Sequence, residues 1–293
     1  MNVHVPGLSG GRERLGQALF TRVAGPEGEA NRARIHGTPG PRWFGPDRPV
    51  RTVHGDASMF VGGLRALLLQ SLHPLAMAAV AAHSGFRGDP WGRLQRTSTF
   101  LAVTTYGTAR DAQRAVDRVR AVHGAVRGRT ADGTPYHAAD PHLLEWVHVA
   151  EVDSFLTAHQ CYGAHPLDRD GCDAYVADTA RVAAALGVAD PPRNLAALAE
   201  RMAAYRPELT GSAEAREAAR FLLLHPPLPW AARGPYALLA VTAVSLLPTW
   251  ARAPLGLSSL PLLERTVVRV SGRAVVGTIR WALPPRPPAA EAD

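Results

Sequence analysis

Within "WGRLQRTSTFLAVTTYG", residues 91–107, Arg93, Arg96 and Thr97 follow i, i+3, i+4 spacing. On a helix they share a sector with Phe100 and Leu101. A guanidinium cannot shed its charge in a protein, so two of them at the head of an apolar stretch call for an anion or a polar ligand. The next segment, "ARDAQRAVDRVRAVHGAVRG", sets Ala112, Ala115, Val116, Val119, Val122, His123 and Val126 on one face, with Arg114, Asp117 and Arg118 on the other. His123 therefore points inward among valines. An imidazole there is either a core histidine bonded to a backbone carbonyl or a ligand to a metal.

Other titratable residues offer weaker patterns. Glu145 and His148 form one ExxH pair on a predicted helix, whereas a di-iron bundle needs two such pairs and two further glutamates. The competing reading is a polar pair beside Trp146. His73 and His83 lie in apolar surroundings, and His73, preceding Pro74, suits a helix start where its ring bonds locally. Asp153 can orient a histidine or pair with an arginine. Cys161 and Cys172 are too few and too far apart for a zinc or CxxC redox motif and read as reduced packing residues. Gly-rich phosphate loops, GxSxG elbows and HExxH motifs are absent, which removes the commonest hydrolase, kinase and dinucleotide-binding readings.

These residues need helices to position them. Residues 1–50, rich in Gly, Pro and Arg, read as an irregular arm wrapping the body. From residue 51 to 280 the pattern is helical, with helices expected over 56–72, 74–84, 90–104, 108–126, 140–160, 168–187, 194–205 and 212–224. Pro74, Pro90, Pro141 and Pro166 stand where first turns accept them. The most hydrophobic stretch, residues 235–250, falls short of the ~20 residues that span a bilayer and reads as a buried or interfacial helix. "RTVVRVSGRAVVGTIRW" has strand-like β-branched content, but it lacks a partner strand and is assigned as helix. A Pro-rich tail, 281–293, is expected to be disordered.

The 293-residue chain is 46% hydrophobic and 19% charged, a globular composition long enough for a sizeable core. Its net charge is +7 and its pI about 10.2, with every basic side chain an arginine. The arginines are scattered among acids, with no zinc-finger spacing, basic run or aromatic platform, so nucleic acid is not an expected partner. An anionic membrane surface is a candidate peripheral contact. The first thirty residues lack the apolar core of a secretory signal, and the expected location is cytoplasmic.

Several pieces occur in a telling order: "GDASMFVGGLRALLLQSLHP", "HSGFRGDPWGRLQRTSTFLAVTTYG", "VRAVHGAVRG" and "DGTPYHAADPHLLEWVHVAEVDSFL". Over roughly residues 45 to 260 the chain resembles the family of latex-clearing proteins and MpaB-type oxygenases. The resemblance implies a single all-α, globin-like domain that holds haem b and uses dioxygen on a hydrophobic, isoprenoid or otherwise apolar small molecule. It implies that His123 is the proximal iron ligand. Arg93, Arg96 and Thr97 would match an Arg-x-x-Lys-Thr element as distal or propionate contacts, Arg96 and Thr97 being the catalytic candidates. His148 is a further candidate near the cofactor.

Two departures from the family pattern stand out. Arginine replaces the lysine of that element, and the helix from His73 to Ser84 contains no acid to match the catalytic glutamate that precedes it. The alternatives are a non-catalytic haem- or lipid-binding protein of the same fold and a cofactor-free basic protein at the membrane surface. An ideal hairpin turning near Tyr106 and Gly107 would set Arg93 opposite position 120, about a turn short of His123, so the two helices must splay to admit a macrocycle.

Overall fold

The computed structural model describes residues 6–83, 88–258, 262 and 264–283. The chain is all-α apart from one small hairpin. Helices α1 (Pro6–Ala24), α2 (Gly28–Gly37) and α3 (Pro49–His54) lead into α4 (Met59–Gln70) and α5 (Pro74–His83). The pair α6 (Pro90–Tyr106) and α7 (Ala109–Ala125) follows, then strands β1 (Arg127–Arg129) and β2 (Pro135–His137). These strands pair antiparallel, with Gly128 opposite Tyr136. Helix α8 (Pro141–Tyr162) is the longest, and α9 (Arg169–Leu186), α10 (Leu195–Tyr205), a 3-10 turn (Arg206–Glu208), α11 (Ala213–Leu224), α12 (Trp230–Ser245) and α13 (Thr249–Arg252) come after it. A π-helical turn (Glu264–Val268) then opens α14 (Arg269–Ala282).

The helix starts follow from visible caps. Asp89, Thr108, Asp140, Asp168, Asn194 and Ser212 each accept a backbone N–H from the first turn they precede. Proline opens α5, α6 and α8 as expected, but Pro166 lies ahead of the Asp168 cap and outside α9. The segment 265–281 is helical from its π turn onward, in keeping with the helix assignment. Ser84 and the tail from residue 284 lie outside the described residues.

The N-terminal arm differs from expectation, since most of residues 6–37 is helical and only 38–48 is irregular. Tertiary contact overrides the glycines. A Cβ at Gly16 would lie 2.3 Å from the Ala282 carbonyl oxygen, so glycine lets α1 run tightly against the end of α14. Arg22 stacks over the Trp91 ring at 4.5 Å, fixing α1 to the start of α6. Arg42 gathers the carbonyls of Ile35, His36, Thr38 and Tyr106, satisfying the ends of α2 and α6 together.

The core centres on α8, where Trp146, Val149 and Ala150 are fully buried against Leu68, Leu69 and Leu72 around α4 and Tyr175 and Val176 of α9. Gly62 permits the close α4–α8 crossing, because a Cβ there would lie 2.9 Å from the Phe155 ring. The buried Arg65 guanidinium is satisfied by Asp153 at 2.7 Å, Ser154 Oγ at 2.6 Å and the Leu246 carbonyl at 2.8 Å. Asp153 thus takes the arginine-pairing role. Among the described residues no single helix is long and apolar enough to cross a membrane, and α4 and α5 meet at a 108° bend.

Candidate functional site

The α6–α7 pair is packed unevenly along its length. At the closed end Val103, Thr104, Thr105 and Tyr106 of α6 are buried, and Ala112 and Val116 of α7 are 0% exposed. At the open end Arg93, Leu94, Phe100 and Leu101 of α6, with Val119 and His123 of α7, are only partly buried. Val122 is 56% exposed, so it falls off the apolar face assigned to it. His123 does turn inward: burial lowers its pKa, and its Nδ1 is shut from solvent with no hydrogen-bond partner among the described residues.

Helix α8 carries two further desolvated groups. Burial lowers the His148 pKa to about 4, and its Nε2 is also buried without a hydrogen-bond partner among the described residues. One helical turn on, burial raises the Glu151 carboxyl to about 7. Glu151 keeps part of its surface accessible. The carboxyl is thus desolvated without being fully enclosed. Below it, Glu151 and Asp178 reinforce the effect of burial in pushing the Tyr175 phenol upward. The Tyr175 hydroxyl meets His54 Nε2 at 3.3 Å, and His54 Nδ1 meets Thr105 Oγ1 at 2.9 Å, linking α9 to α3 and α6. Helices α7 and α8 both pack on α9, while no comparable packing joins α7 or α6 to α8 among the described residues.

The three residues of the arginine element do not share one environment. Arg93 is half-buried, with burial and the Arg96 charge lowering its pKa, although the guanidinium stays cationic. Arg96 and Thr97 are exposed, in contrast to the pocket-facing position expected of them. The cause is local: Asp89 caps α6 through Oδ1, 2.8 Å from the Gly92 N–H, and its Oδ2 draws Arg96 back along the helix at 3.2 Å.

The remaining histidines and acids sort clearly. Glu145 does not pair with His148; it accepts from the Tyr205 hydroxyl at 2.9 Å and meets Arg201 at 3.2 Å. His83 lies 3.2 Å from the Tyr136 hydroxyl, tying α5 to β2. His73 makes no local hydrogen bond at its helix start, and both its ring nitrogens are buried without a hydrogen-bond partner among the described residues. A shallow recess of about 600 Å³ opens over the β-hairpin between Arg127, Arg129 and Tyr136, and His123, His148 and Glu151 do not line it. Glu151 escaped the sequence reading; its signal was the three-residue step from His148, which places the two on one helical face.

Comparisons with known proteins identify the family. The family described as ER-bound oxygenase mpaB/B'/rubber oxygenase, catalytic domain, matches residues 51–281. An uncharacterised protein of Mycobacterium bovis and one of Mycobacterium tuberculosis are each 32% identical over 159 residues, covering 52% of this chain. The match spans 62% of the length of each relative. No solved structure matches the chain.

Proposed function

Because the chain belongs to the family of MpaB-type and rubber oxygenase catalytic domains, we propose that it is a haem b-dependent oxygenase or oxidase using dioxygen on a hydrophobic small molecule. The observation that carries this reading is the pair of buried, unpartnered ring nitrogens, His123 Nδ1 and His148 Nε2, on helices that leave a gap between them. Orphaned imidazoles are costly in a protein interior unless something completes them, and neutral imidazole is a good iron ligand. The residues present therefore fit the group. His123 would hold the iron, His148 would stand beside the group, and Arg93 would offer a cation to its carboxylates.

When bound, the haem supplies the oxygen chemistry. The chain's own work is to exclude water, orient the substrate and hold protons. Half-buried Leu94, Phe100, Leu101 and Val119 give the open end of the α6–α7 pair an apolar lining. Glu151 is the acid that the helix before the arginine element lacks. With a pKa of about 7 it can hold or release a proton near neutral pH, and His148 stays neutral down to about pH 4. Arg96 and Thr97, at the surface in this conformation, are assigned to the rim of that open end.

A peripheral membrane contact suits an apolar substrate. Of the eleven large apolar side chains exposed among the described residues, eight, among them Leu224, Trp230, Val270 and Trp281, fall between 224 and 281. Arg269 and Arg273 are exposed alongside them on α14. Apolar anchors flanked by arginine suit an anionic lipid surface.

The test is turnover. Haem-loaded protein supplied with isoprenoid chains should consume oxygen and give oxygenated or cleaved product, and Glu151→Gln should slow this by ~10- to 100-fold at neutral pH. Haem binding with no oxygen consumption on any apolar substrate would make the chain a carrier instead.

A further inference from the structure

A second histidine cluster lies at the first turn of α8. His73, between α4 and α5, has a side chain only 3% exposed, and neither of its ring nitrogens has a hydrogen-bond partner among the described residues. His73 Nε2 lies 3.5 Å from Glu208 Oε2, and His142 Nε2 lies 2.8 Å from the same oxygen. One ligand atom from each of the three residues falls within 4.8 Å of the others. We propose that His73, His142 and Glu208 bind a divalent transition cation of the zinc class, which staples the α4–α5 corner, the first turn of α8 and the turn after α10.

Proton accounting supports a cation at this point. Tyr205 has one hydroxyl proton, which goes to Glu145 Oε2 at 2.9 Å or to the His142 carbonyl at 2.8 Å. The Tyr205 oxygen is then the acceptor for His142 Nδ1 at 3.2 Å. With the hydroxyl proton so placed, His142 carries its own proton on Nδ1, and Arg201 pairs with Glu145 at the far end of the chain of contacts. Its Nε2 is left as a lone pair aimed at a carboxylate oxygen, an opposition that needs a positive centre between them.

A proton on His142 Nε2 would relieve that one contact and leave His73 unexplained. A metal ion satisfies all three atoms. Tetrahedral coordination at zinc-like bond lengths sets ligand atoms about 3.3 Å apart, and the two Glu208 contacts bracket that value. Two imidazoles and one carboxylate favour zinc-class ions over calcium or magnesium, which prefer all-oxygen sites.

The fold already holds the three ligands near one another. The Thr210 N–H donates to the Leu72 carbonyl at 2.8 Å, pinning the turn that carries Glu208 to the corner that carries His73. His142 and Glu208 are half-exposed, so an ion can enter from solvent and keep a water as fourth ligand.

The experiment uses the full chain, free of any affinity tag, stripped with a chelator and dialysed against zinc chloride, with zinc per chain measured by elemental analysis. One zinc per chain is expected, together with a higher thermal midpoint in the zinc-loaded protein. Glu208→Gln and His142→Gln, both at half-exposed positions that the fold tolerates, should each weaken zinc binding by ~tenfold or more. No zinc above background in the wild-type chain, or unchanged affinity in both variants, overturns the site. Haem is counted in the same samples by its own absorption, so either zinc result leaves the oxygenase reading untouched.

Discussion

The two ends of the α6–α7 hairpin are built from similar residues and do different things. At the closed end Ala112 and Val116 of α7 have no exposed surface, Val103 and Tyr106 of α6 are buried with Ile35, and the Tyr106 hydroxyl donates to the Arg51 carbonyl at 3.0 Å. Toward the open end the same apolar stripe continues through Val119 to His123, yet every side chain keeps some accessible surface. The difference arises from the neighbours. The closed end is backed by α2 and α3, whereas α8, which carries His148 and Glu151, does not pack closely on α6 or α7 among the described residues. Amphipathic pattern says which way a residue points; whether it meets core or a recess is decided by a helix far along the chain.

Substitutions that treat the two ends alike should separate them. The largest expected effect is Val116→Asp, which buries an uncompensated carboxylate at the closed end and should cost about 3–5 kcal/mol in denaturant unfolding. A comparably stable variant would mean that the closed end is as loosely filled as the open one.

Glu151→Gln probes the open end through pH. In the folded chain Glu151 keeps its proton up to about 7, whereas in the unfolded chain it loses it near 4.5, so its ionisation removes stability as pH rises through that window. His148, lowered from 6.5 to about 4, works in the opposite direction and costs stability as pH falls through 6.5 toward 4. The two slopes oppose each other between 4.5 and 6.5, leaving only the Glu151 loss up to about 7. Glu151→Gln should therefore stabilise the cofactor-free chain by on the order of 1–3 kcal/mol at pH 8 and by much less at pH 5. An equal effect at both pH values would place Glu151 in ordinary solvent.

The smallest effect belongs to Arg96→Leu. Its guanidinium is 66% exposed and its pairing with Asp89 is a surface ion pair, so stability should change by less than about 1 kcal/mol. A loss of several kcal/mol in thermal or denaturant unfolding would contradict the outward position seen here.

Much of the fold was legible because its signals are local. Prolines at first turns, side-chain caps and the apolar stripe of α7 mark the helices from α4 to α11 within a few residues, and they set His123 on the inner face. The N-terminal helices were not legible, since their glycines and weak stripe argue against helix and only contact with α6 and α14 offsets this. The site was legible in part. His123 and Arg93 follow from spacing, while Glu151 sits in a run of apolar residues and shows its character only once desolvated. His73, His142 and Glu208 are joined by the α4–α5 corner and the turn after α10, neither of which leaves a trace in residue spacing.

The open end of the hairpin is proposed as a haem site rather than loosely packed core. Its most direct measurement is the absorption spectrum of the purified chain titrated with haem, alongside His123→Ala with helical content followed by circular dichroism. A saturable Soret band at one haem per chain is expected in the wild type, largely lost in His123→Ala while helicity stays unchanged. A wild-type chain that takes up no haem, or a His123→Ala chain that keeps an unchanged haem spectrum, would contradict the account.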